Sequence, residues 1–191
     1  MNRDAVSAEL ARHARAHPED GPALARFARL LEDTPAPFSR DQFAPGHVTC
    51  SACVLDAKGA HVLLLHHARL SRWLQPGGHA ESGDATPLAG ALRELREESG
   101  LVDPATLCGP GGSALVDVDV HEIPARGGEP AHLHYDLRYG FAVDGGAALR
   151  CSEESHVLRW VAVERLAEQG ADASVARLVA RALAMLRGDS R

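Results

Sequence analysis

The octet RELREESG at residues 93–100 places three acidic side chains, Glu94, Glu97 and Glu98, close together on a predicted helix. At about 100° per residue, these side chains share an arc of about 100° on one helix face. Like charges three and four residues apart repel by a few tenths of a kcal/mol per pair. Arg93 can pair with Glu97, but one arginine does not neutralise three carboxylates. The pattern indicates either a solvated acidic surface or a face that binds a cation.

The helix that carries these glutamates has clear boundaries in the sequence. Thr86 and Pro87 are typical of a helix start, because a hydroxyl caps the first turn and proline suits the first helical position. Gly100 is typical of a helix end. These residues predict a helix over 87–99, with one apolar stripe that would anchor it to a sheet. The stripe consists of Leu88, Ala91, Leu92 and Leu95.

Two adjacent glycines, Gly77 and Gly78, precede this helix in the run WLQPGGHAESGD. Glycine lets the backbone approach a neighbour closely, so a loop folded over the acidic face could add a carbonyl oxygen to a metal site. Carboxylate and carbonyl oxygens are the ligands that Mg²⁺ and Mn²⁺ prefer, and magnesium often completes its shell with water and substrate phosphates. The loop favours a site for Mg²⁺ or Mn²⁺ more than the helix alone does, and a solvated acidic surface stays the alternative.

The segment GGHAESGDATPLAGALRELREESGL, residues 77–101, resembles the signature of Nudix hydrolases, G-x5-E-x7-R-E-U-x-E-E-x-G-U, where U is aliphatic. Gly78 matches the opening glycine, and the second half matches in full from Arg93 to Leu101. Two departures occur: Asp84 stands where the signature has glutamate, and the spacer 85–92 is one residue longer. With the flanking strand-like segments, the resemblance covers residues 44–187.

The resemblance implies an α+β fold of the Nudix type, an α/β/α sandwich in which helices flank a mixed sheet. It also implies a metal-dependent pyrophosphohydrolase, in which water attacks phosphorus in a nucleoside diphosphate linked to another moiety. A non-catalytic Nudix-like nucleotide sensor or binding module is the alternative. A related isoprenoid diphosphate isomerase would need a suitably placed cysteine. ADP-ribose, other nucleotide sugars, dinucleoside polyphosphates and non-canonical triphosphates all stay open as substrates.

Roles for individual residues follow from the same resemblance. The implied metal contacts are Gly78, through its carbonyl, and Glu94, Glu97 and Glu98. The implied catalytic residues are Glu94, Glu98 and Arg93. Within this set, Arg93 would orient a glutamate, and Glu94 would act as a metal ligand or as the general base.

A downstream loop often supplies a further acid in this family, and Glu153 and Glu154 in CSEESH are the candidates. An exposed charged turn is the alternative for this pair. Upstream of the glycines, His66, His67, Arg69, Arg72 and Trp73 could contact the phosphate or base of a ligand. Trp73 has an alternative role as a core residue.

Two strand-like segments, ALVDVDVHEI and AHLHYDLRYGF, alternate strictly between polar and apolar residues. If these strands pair, their polar faces meet in one patch of histidines and acids. That patch is either a substrate-binding surface, with His134, Asp136 and Arg138 as contacts, or a solvated sheet face. Its remaining members are Asp117, Asp119, His121 and His132.

Apolar periodicity predicts the remaining organisation of the chain. Residues 1–43 read as an N-terminal helical hairpin, with helices at 4–16 and 22–32, which would cap a pocket or form a homodimer. Residues 44–191 read as the hydrolase domain. Its predicted strands are 47–55, 61–67, 113–123, 131–143 and 156–163, and its predicted helices are 87–99 and 173–187.

Charge and cysteine usage exclude other classes. A net charge of −6 disfavours nucleic acid and anionic membranes as partners, and the resemblance to Nudix hydrolases implies a small-molecule diphosphate instead. The apolar segment HVLLLHH is too short to span a bilayer, and no secretory signal is evident at the N-terminus, so we expect a cytoplasmic protein. Cys50 and Cys53 have zinc-like spacing, but on a strand they point to opposite faces, which favours buried thiols.

Overall fold

The computed structural model describes residues 1–67, 72–144, 149–150 and 157–189. The helices are α1 (Arg3–Ala16), α2 (Gly21–Asp33), α3 (Pro87–Ser99) and α4 (Ala173–Arg187). The strands are β1 (Gly46–Asp56), β2 (His61–His67), β3 (Arg72–Leu74), β4 (Gly77–His79), β5 (Ala105–Thr106), β6 (Leu115–Ile123), β7 (His132–Val143) and β8 (Leu158–Ala162). All four predicted helices and all five predicted strands are confirmed, each to within about two residues at the ends described.

The sheet is mixed and centres on a long parallel pair, in which β1 runs beside β7 from Gly46↔Leu133 to Asp56↔Val143. The other edge of β1 pairs antiparallel with β4 at one end and with β2 at the other. β6 and β5 both pair antiparallel with β7, while β3 and β8 pair antiparallel with β2. Because the register of β1 and β7 is continuous, alternate residues of these strands face opposite sides of the sheet.

Helix α3 packs on one side of the sheet. Its buried Ala91 and Leu95 join the even-numbered residues of β1, from Val48 to Val54, in one core cluster. Burying a side chain such as Leu95 contributes about 1.5–3 kcal/mol. The apolar stripe predicted from the sequence therefore does anchor this helix, and its charged residues are left to face the glycine-containing strand β4.

The N-terminal hairpin packs on the same side and extends that core. Its apolar residues Val6, Leu10, Phe27, Leu30 and Leu31 belong to the cluster that contains Leu95. Phe27 meets the Tyr135 ring edge-on at 5.4 Å between centroids, and the Tyr139 hydroxyl donates to Glu9 Oε2 at 2.8 Å. The apolar stripe of the hairpin is therefore buried against the sheet of its own chain.

Helix α4 packs on the opposite side of the sheet. Val175, Leu178 and Val179 are buried there against the odd-numbered β1 residues Cys53 and Leu55. Cys50 and Cys53 are fully buried on the two opposite sides, which confirms the prediction of buried thiols. Burial raises the pKa of both thiols, so neither is a ready thiolate. In the described part of the chain, no helix is long and apolar enough to cross a membrane.

Candidate active site and its family

The ends of α3 form as the sequence indicates. The Thr86 hydroxyl accepts a hydrogen bond from the Ala89 amide at 3.1 Å, and Pro87 occupies the first turn. Gly100 ends the helix at φ 69°, a left-handed conformation that glycine adopts without strain. The fixed ends set the rotation of the helix, so that Glu94 and Glu98 face the double glycine.

The double glycine forms strand β4, where the sequence predicted a loop. β4 pairs with β1 through Thr49↔His79, Cys50↔Gly78 and Ser51↔Gly77. Three residues are too few for a periodicity signal, which explains the missed strand. The pairing fixes the Gly77–Gly78 backbone against the sheet, so its approach to α3 is a rigid feature of the fold.

Strand β4 lies directly against the glutamates of α3. Glu98 Oε2 accepts a hydrogen bond from the Gly77 amide at 2.9 Å. A Cβ atom added at Gly78 would lie 2.5 Å from Glu94 Oε1 and 2.6 Å from its carboxyl carbon, which is closer than real Cβ contacts. Any residue larger than glycine at position 78 would therefore displace the carboxylate packed on it.

Arg93 bridges the acidic groups around this strand. Its Nη1 donates to Glu94 Oε1 at 2.9 Å and to Glu97 Oε2 at 3.1 Å, and its Nη2 donates to the His79 carbonyl at 2.8 Å. The sequence predicted the pair with Glu97 only. The guanidinium therefore orients a glutamate, as expected, and also ties α3 to β4.

Asp84, the residue that departs from the family signature, also holds Arg93. Its Oδ1 accepts from Arg93 Nε at 3.2 Å and its Oδ2 accepts from Arg93 Nη2 at 3.1 Å. Asp84 is only 5% exposed. Burial acts to raise its pKa, but the Arg93 hydrogen bonds and the Glu81 amide outweigh burial, so the pKa of Asp84 lies below its usual value. Asp84, one methylene shorter than the glutamate of the signature, therefore holds the Arg93 guanidinium in place.

The glutamates differ in their surroundings. Glu94 is largely buried, and burial raises its pKa although Arg93 acts in the opposite direction. Glu97 is more than half exposed and shares Arg93 with Glu94. The site therefore contains the largely buried carboxylate of Glu94 and the carboxylate of Glu98, which is bonded to the Gly77 amide. Both lie against the Gly77–Gly78 backbone. Such a set fits Mg²⁺ or Mn²⁺, which take carboxylate oxygens and share the rest of their shell with water and phosphate.

The predicted pairing of the polar strand faces is confirmed, and the alternative of a solvated sheet face is wrong. β6 and β7 pair through Asp117↔Arg138, Asp119↔Asp136 and His121↔His134. Asp117, Asp136 and Arg138 are 0%, 2% and 3% exposed, and α4 reaches Asp117 through Arg177 and Arg138 through Ser174. Charged groups with neutralising partners can be enclosed by a helix, which alternation alone does not reveal.

Arg138 lies at the centre of this buried patch. It donates from Nε to Asp136 at 2.9 Å and from Nη1 to Asp117 at 3.2 Å, and its Nη2 lies 3.2 Å from Asp119. Arg177 of α4 pairs with Asp117 and Asp119, and Arg181 of α4 pairs with Asp117. Arg138 and Asp136 therefore join β6, β7 and α4 in one ionic network.

The remaining residues predicted to contact substrate lie in several places. His134 is half-buried among other histidines near one end of β7. Trp73 is half-buried, with the His66 ring edge-on at 5.3 Å and the Arg159 guanidinium 5.1 Å from its ring centre. Arg72 is exposed and lies 3.8 Å from Asp172. Arg69, Glu153 and Glu154 lie outside the described residues.

A second group of ligating side chains was not recognised from the sequence as a metal site. In the described ranges, one ring nitrogen from each of His47, His132 and His134 lies within 4.8 Å of the other two, a spacing that suits a metal ion. The oxygens of the α3 glutamates are instead bridged by Arg93 and Gly77. His47 and His79 had no part in the predicted patch. His47 begins a strand that the sequence does predict, but the pairing that brings this strand beside His134 has no local signal.

A comparison with protein-family models matches the NUDIX domain over residues 45–182. The chain belongs to the NUDIX family. The match covers nearly the whole range 44–187 over which the signature and its flanking strands resemble the family. It leaves α1 and α2 outside. With the arginine and glutamates of the signature in place on α3, the chain is a hydrolase of the Nudix type.

Solved structures agree with this NUDIX fold. A C. elegans Ap4A hydrolase in a binary complex has a TM-score of 0.54 at 17% identity, covering 74% of this chain and 98% of that one. A NUDIX-family hydrolase from Clostridium perfringens has a TM-score of 0.53 at 21% identity, covering 74% and 96%. The NUDIX domain of Shewanella oneidensis NrtR, complexed with ADP ribose, has a TM-score of 0.51 at 17% identity, covering 83% and 97%. No curated protein matches the chain in sequence.

Proposed function

We propose that this chain hydrolyses a phosphoanhydride bond in a nucleoside diphosphate linked to another moiety, with Mg²⁺ or Mn²⁺ and by attack of water on phosphorus. One observation carries the proposal. Strand β4 lies directly against Glu94 and Glu98, with Gly78 in close contact with the Glu94 carboxylate and the Gly77 amide donating to Glu98, which places two carboxylates beside one stretch of backbone. A diphosphate would be repelled there unless cations intervened.

Each residue of the site has a role that follows from its contacts. Glu94, Glu97 and Glu98, with the Gly78 carbonyl, would hold the metal. Bound there, Mg²⁺ or Mn²⁺ neutralises phosphate charge and lowers the pKa of a coordinated water. Arg93 keeps the Glu94 carboxylate in place through the 2.9 Å bond, and Asp84 keeps Arg93 in place.

Glu94 is also our candidate for the general base. A general base works best when its pKa approaches the operating pH, and burial already raises the pKa of Glu94. Glu98 stays bound to the Gly77 amide, which suits a fixed ligand better than a proton carrier. We therefore assign proton transfer to Glu94 and metal binding chiefly to Glu98 and Glu97.

We infer the chemical class of the substrate and not one individual compound. The structural neighbours include an Ap4A hydrolase, a NUDIX domain complexed with ADP ribose, and a dihydroneopterin triphosphate pyrophosphohydrolase from E. coli. These compounds share a phosphoanhydride joined to an organic group on each side or at one end. We infer a soluble small-molecule substrate of this class and a cytoplasmic location, in keeping with the net charge of −6.

The test is a screen of such diphosphates with Mg²⁺ or Mn²⁺, scored for phosphate-containing products, on the wild type and on Glu98→Gln. We expect the variant to lose at least about 100-fold in kcat/KM, because a charge-stabilising group is lost. Glu168→Gln is the matched control, since Glu168 is an exposed glutamate paired with Arg165 away from the site. Equal turnover by Glu98→Gln and Glu168→Gln would contradict the proposed role of α3.

A non-catalytic nucleotide sensor is the second candidate, and the NrtR NUDIX domain complexed with ADP ribose is the observation in its favour. A sensor needs affinity without turnover. It would bind one of the screened diphosphates, release no product with either metal, and keep its affinity in Glu98→Gln. A hydrolase would show product release that depends on added metal and on Glu98.

A further inference from the structure

We propose that the histidine cluster formed by His47, His79, His121, His132 and His134 binds one transition-metal ion through imidazole nitrogens, at a site separate from the α3 glutamates. The site would take Zn²⁺ or a similar borderline ion such as Ni²⁺ or Cu²⁺, because imidazole is a ligand of these ions.

The cluster gathers side chains from four strands on the α4 side of the sheet. His47 comes from β1, His132 and His134 from β7, His121 from β6 and His79 from β4. The His134 ring centre lies 4.9 Å from that of His47, 5.2 Å from those of His79 and His132, and 5.6 Å from that of His121. His134 is therefore the centre of the cluster.

Three of these rings already have the orientation that metal-binding histidines adopt. Nδ1 of His47 donates to the Gln42 carbonyl at 3.1 Å, and Nδ1 of His132 donates to the Pro130 carbonyl at 2.8 Å. Nδ1 of His121 donates to the Asp119 carboxylate at 3.0 Å. A proton fixed on Nδ1 leaves the lone pair on Nε2. Ligating histidines typically make such a second hydrogen bond to a carbonyl or carboxylate.

Two inward-facing nitrogens lack hydrogen-bond partners among the described residues. Nε2 of His47 and Nε2 of His134 are both buried and accept no hydrogen bond there. A buried polar atom without a partner is costly, and most such atoms in folded proteins have one. Metal coordination would satisfy both nitrogens at once.

The distances between the ring nitrogens of His47, His132 and His134 suit a small metal ion if the rings move slightly toward one another. Because the ligand atoms of His47, His132 and His134 lie within 4.8 Å of one another, a central point is at most about 2.8 Å from each. A Zn–N bond is about 2.0–2.1 Å, so each ring would move inward by roughly 0.7 Å or less. The His79 and His121 rings lie beside these three, with ring centres 5.2 and 5.6 Å from that of His134.

An ion pair of Arg40 and Glu129, 3.6 Å apart, lies near His47 and His79, so this part of the surface carries both signs of charge. Asp119 lies behind His121 and places a carboxylate on the far side of a ligating ring. The bound ion would tie β1, β4, β6 and β7 together at one end of the sheet. His79 adjoins Gly78, so such an ion would also fix the strand on which the glutamates pack.

The experiment measures metal binding directly on the untagged full chain after removal of metals with a chelator. Zn²⁺ is titrated in competition with a chromophoric chelator, and Co²⁺ is titrated while visible d–d absorption is recorded. We expect one tight Zn²⁺ per chain, a Co²⁺ spectrum of nitrogen ligation, and a melting temperature that rises by several degrees with Zn²⁺. His134→Gln should lose at least about 100-fold in Zn²⁺ affinity together with the spectrum and the thermal shift.

Two controls distinguish this site from metal binding elsewhere on the chain. His17→Gln changes a histidine outside the cluster, bonded to Glu19, and should bind Zn²⁺ as the wild type does. Glu98→Gln should also keep the tight Zn²⁺, which distinguishes this site from the proposed catalytic one. His132→Gln provides a second ligand variant if His134→Gln folds poorly by circular dichroism. Tight Zn²⁺ that survives both histidine variants, or that is lost in Glu98→Gln alone, would overturn the proposal, as would an absence of tight binding in the wild type.

Discussion

Replacing Gly78 by alanine tests the contact between β4 and the α3 glutamates. The added Cβ would lie 2.5 Å from Glu94 Oε1, and ordinary contact begins at 3.4 Å, so the carboxylate must retreat by about 0.9 Å. The carboxylate is the end of a flexible side chain. Stability should therefore fall by only about 1–3 kcal/mol, the usual cost of an added methyl group in a packed place.

Activity should respond far more strongly than stability. A displacement of about 1 Å in a positioned catalytic group costs about 100-fold in rate. We therefore expect Gly78→Ala to lower kcat/KM on the diphosphate found in the screen by about 100-fold. Its melting temperature should fall by about 2–12 °C, since 1 kcal/mol corresponds to about 2–4 °C in a chain of this size. Steady-state kinetics and calorimetry on the same preparation measure both quantities.

Gly83→Ala is the matched control for this substitution. Gly83 lies in the same loop region between β4 and α3, and a Cβ added there would meet no atom within 4 Å. The control should retain wild-type activity and stability within about 1 kcal/mol. A Gly78→Ala enzyme with turnover within about threefold of the Gly83→Ala enzyme would refute the reasoning, because the glutamate would then tolerate displacement.

Three further predictions concern stability and thiol reactivity. Arg138→Met should lower the free energy of unfolding in urea by about 3–5 kcal/mol, because it removes the cation paired with buried Asp136 and one partner of buried Asp117. Exposed Arg165→Met should change it by less than about 0.5 kcal/mol, and similar losses would contradict the ionic network. Burial acts to raise the pKa of Asp119, but His121, Arg138 and Arg177 lower it below the unfolded value. Its stabilisation is therefore complete above about pH 5 and is lost as pH falls below about 4, so the loss of stability on acidification should be smaller in Asp119→Asn than in the wild type, and an equal loss would contradict this role. In a Cys151→Ser variant, the exposed thiol of Cys108 should react at once with a thiol reagent. The buried thiols of Cys50 and Cys53 should react only in denaturant, and rapid reaction of all three thiols would refute their burial.

The sequence predicted the fold well because its signals are local and long. Capping residues and apolar periodicity determine α3 and α4, and alternation determines β6 and β7. Strands β3, β4 and β5 escaped prediction, since each has at most three residues and is defined by its partner strand. Pairing with a distant strand leaves no periodic trace in so short a segment.

The candidate site was predicted in its residues but not in its contacts. Spacing on one helix identified Glu94, Glu97 and Glu98, yet the bond between Asp84 and Arg93 depends on how the intervening loop folds. The buried Arg138 network and the histidine cluster both depend on strand register and on coverage by α4. His47 and His134 are 87 residues apart by number and adjacent by register, which no local pattern encodes.

Anomalous diffraction tests most directly whether the acidic face of α3 holds divalent cations that serve hydrolysis. Crystals grown with Mn²⁺ and a non-hydrolysable diphosphate analogue would be measured for the wild type and for Glu98→Gln. We predict a manganese peak within bonding distance, about 2.0–2.3 Å, of Glu98 and of at least one other α3 glutamate, and a much weaker peak in the variant. Manganese bound only elsewhere, with the α3 carboxylates still held by Arg93 and Gly77, would contradict this role for the acidic face.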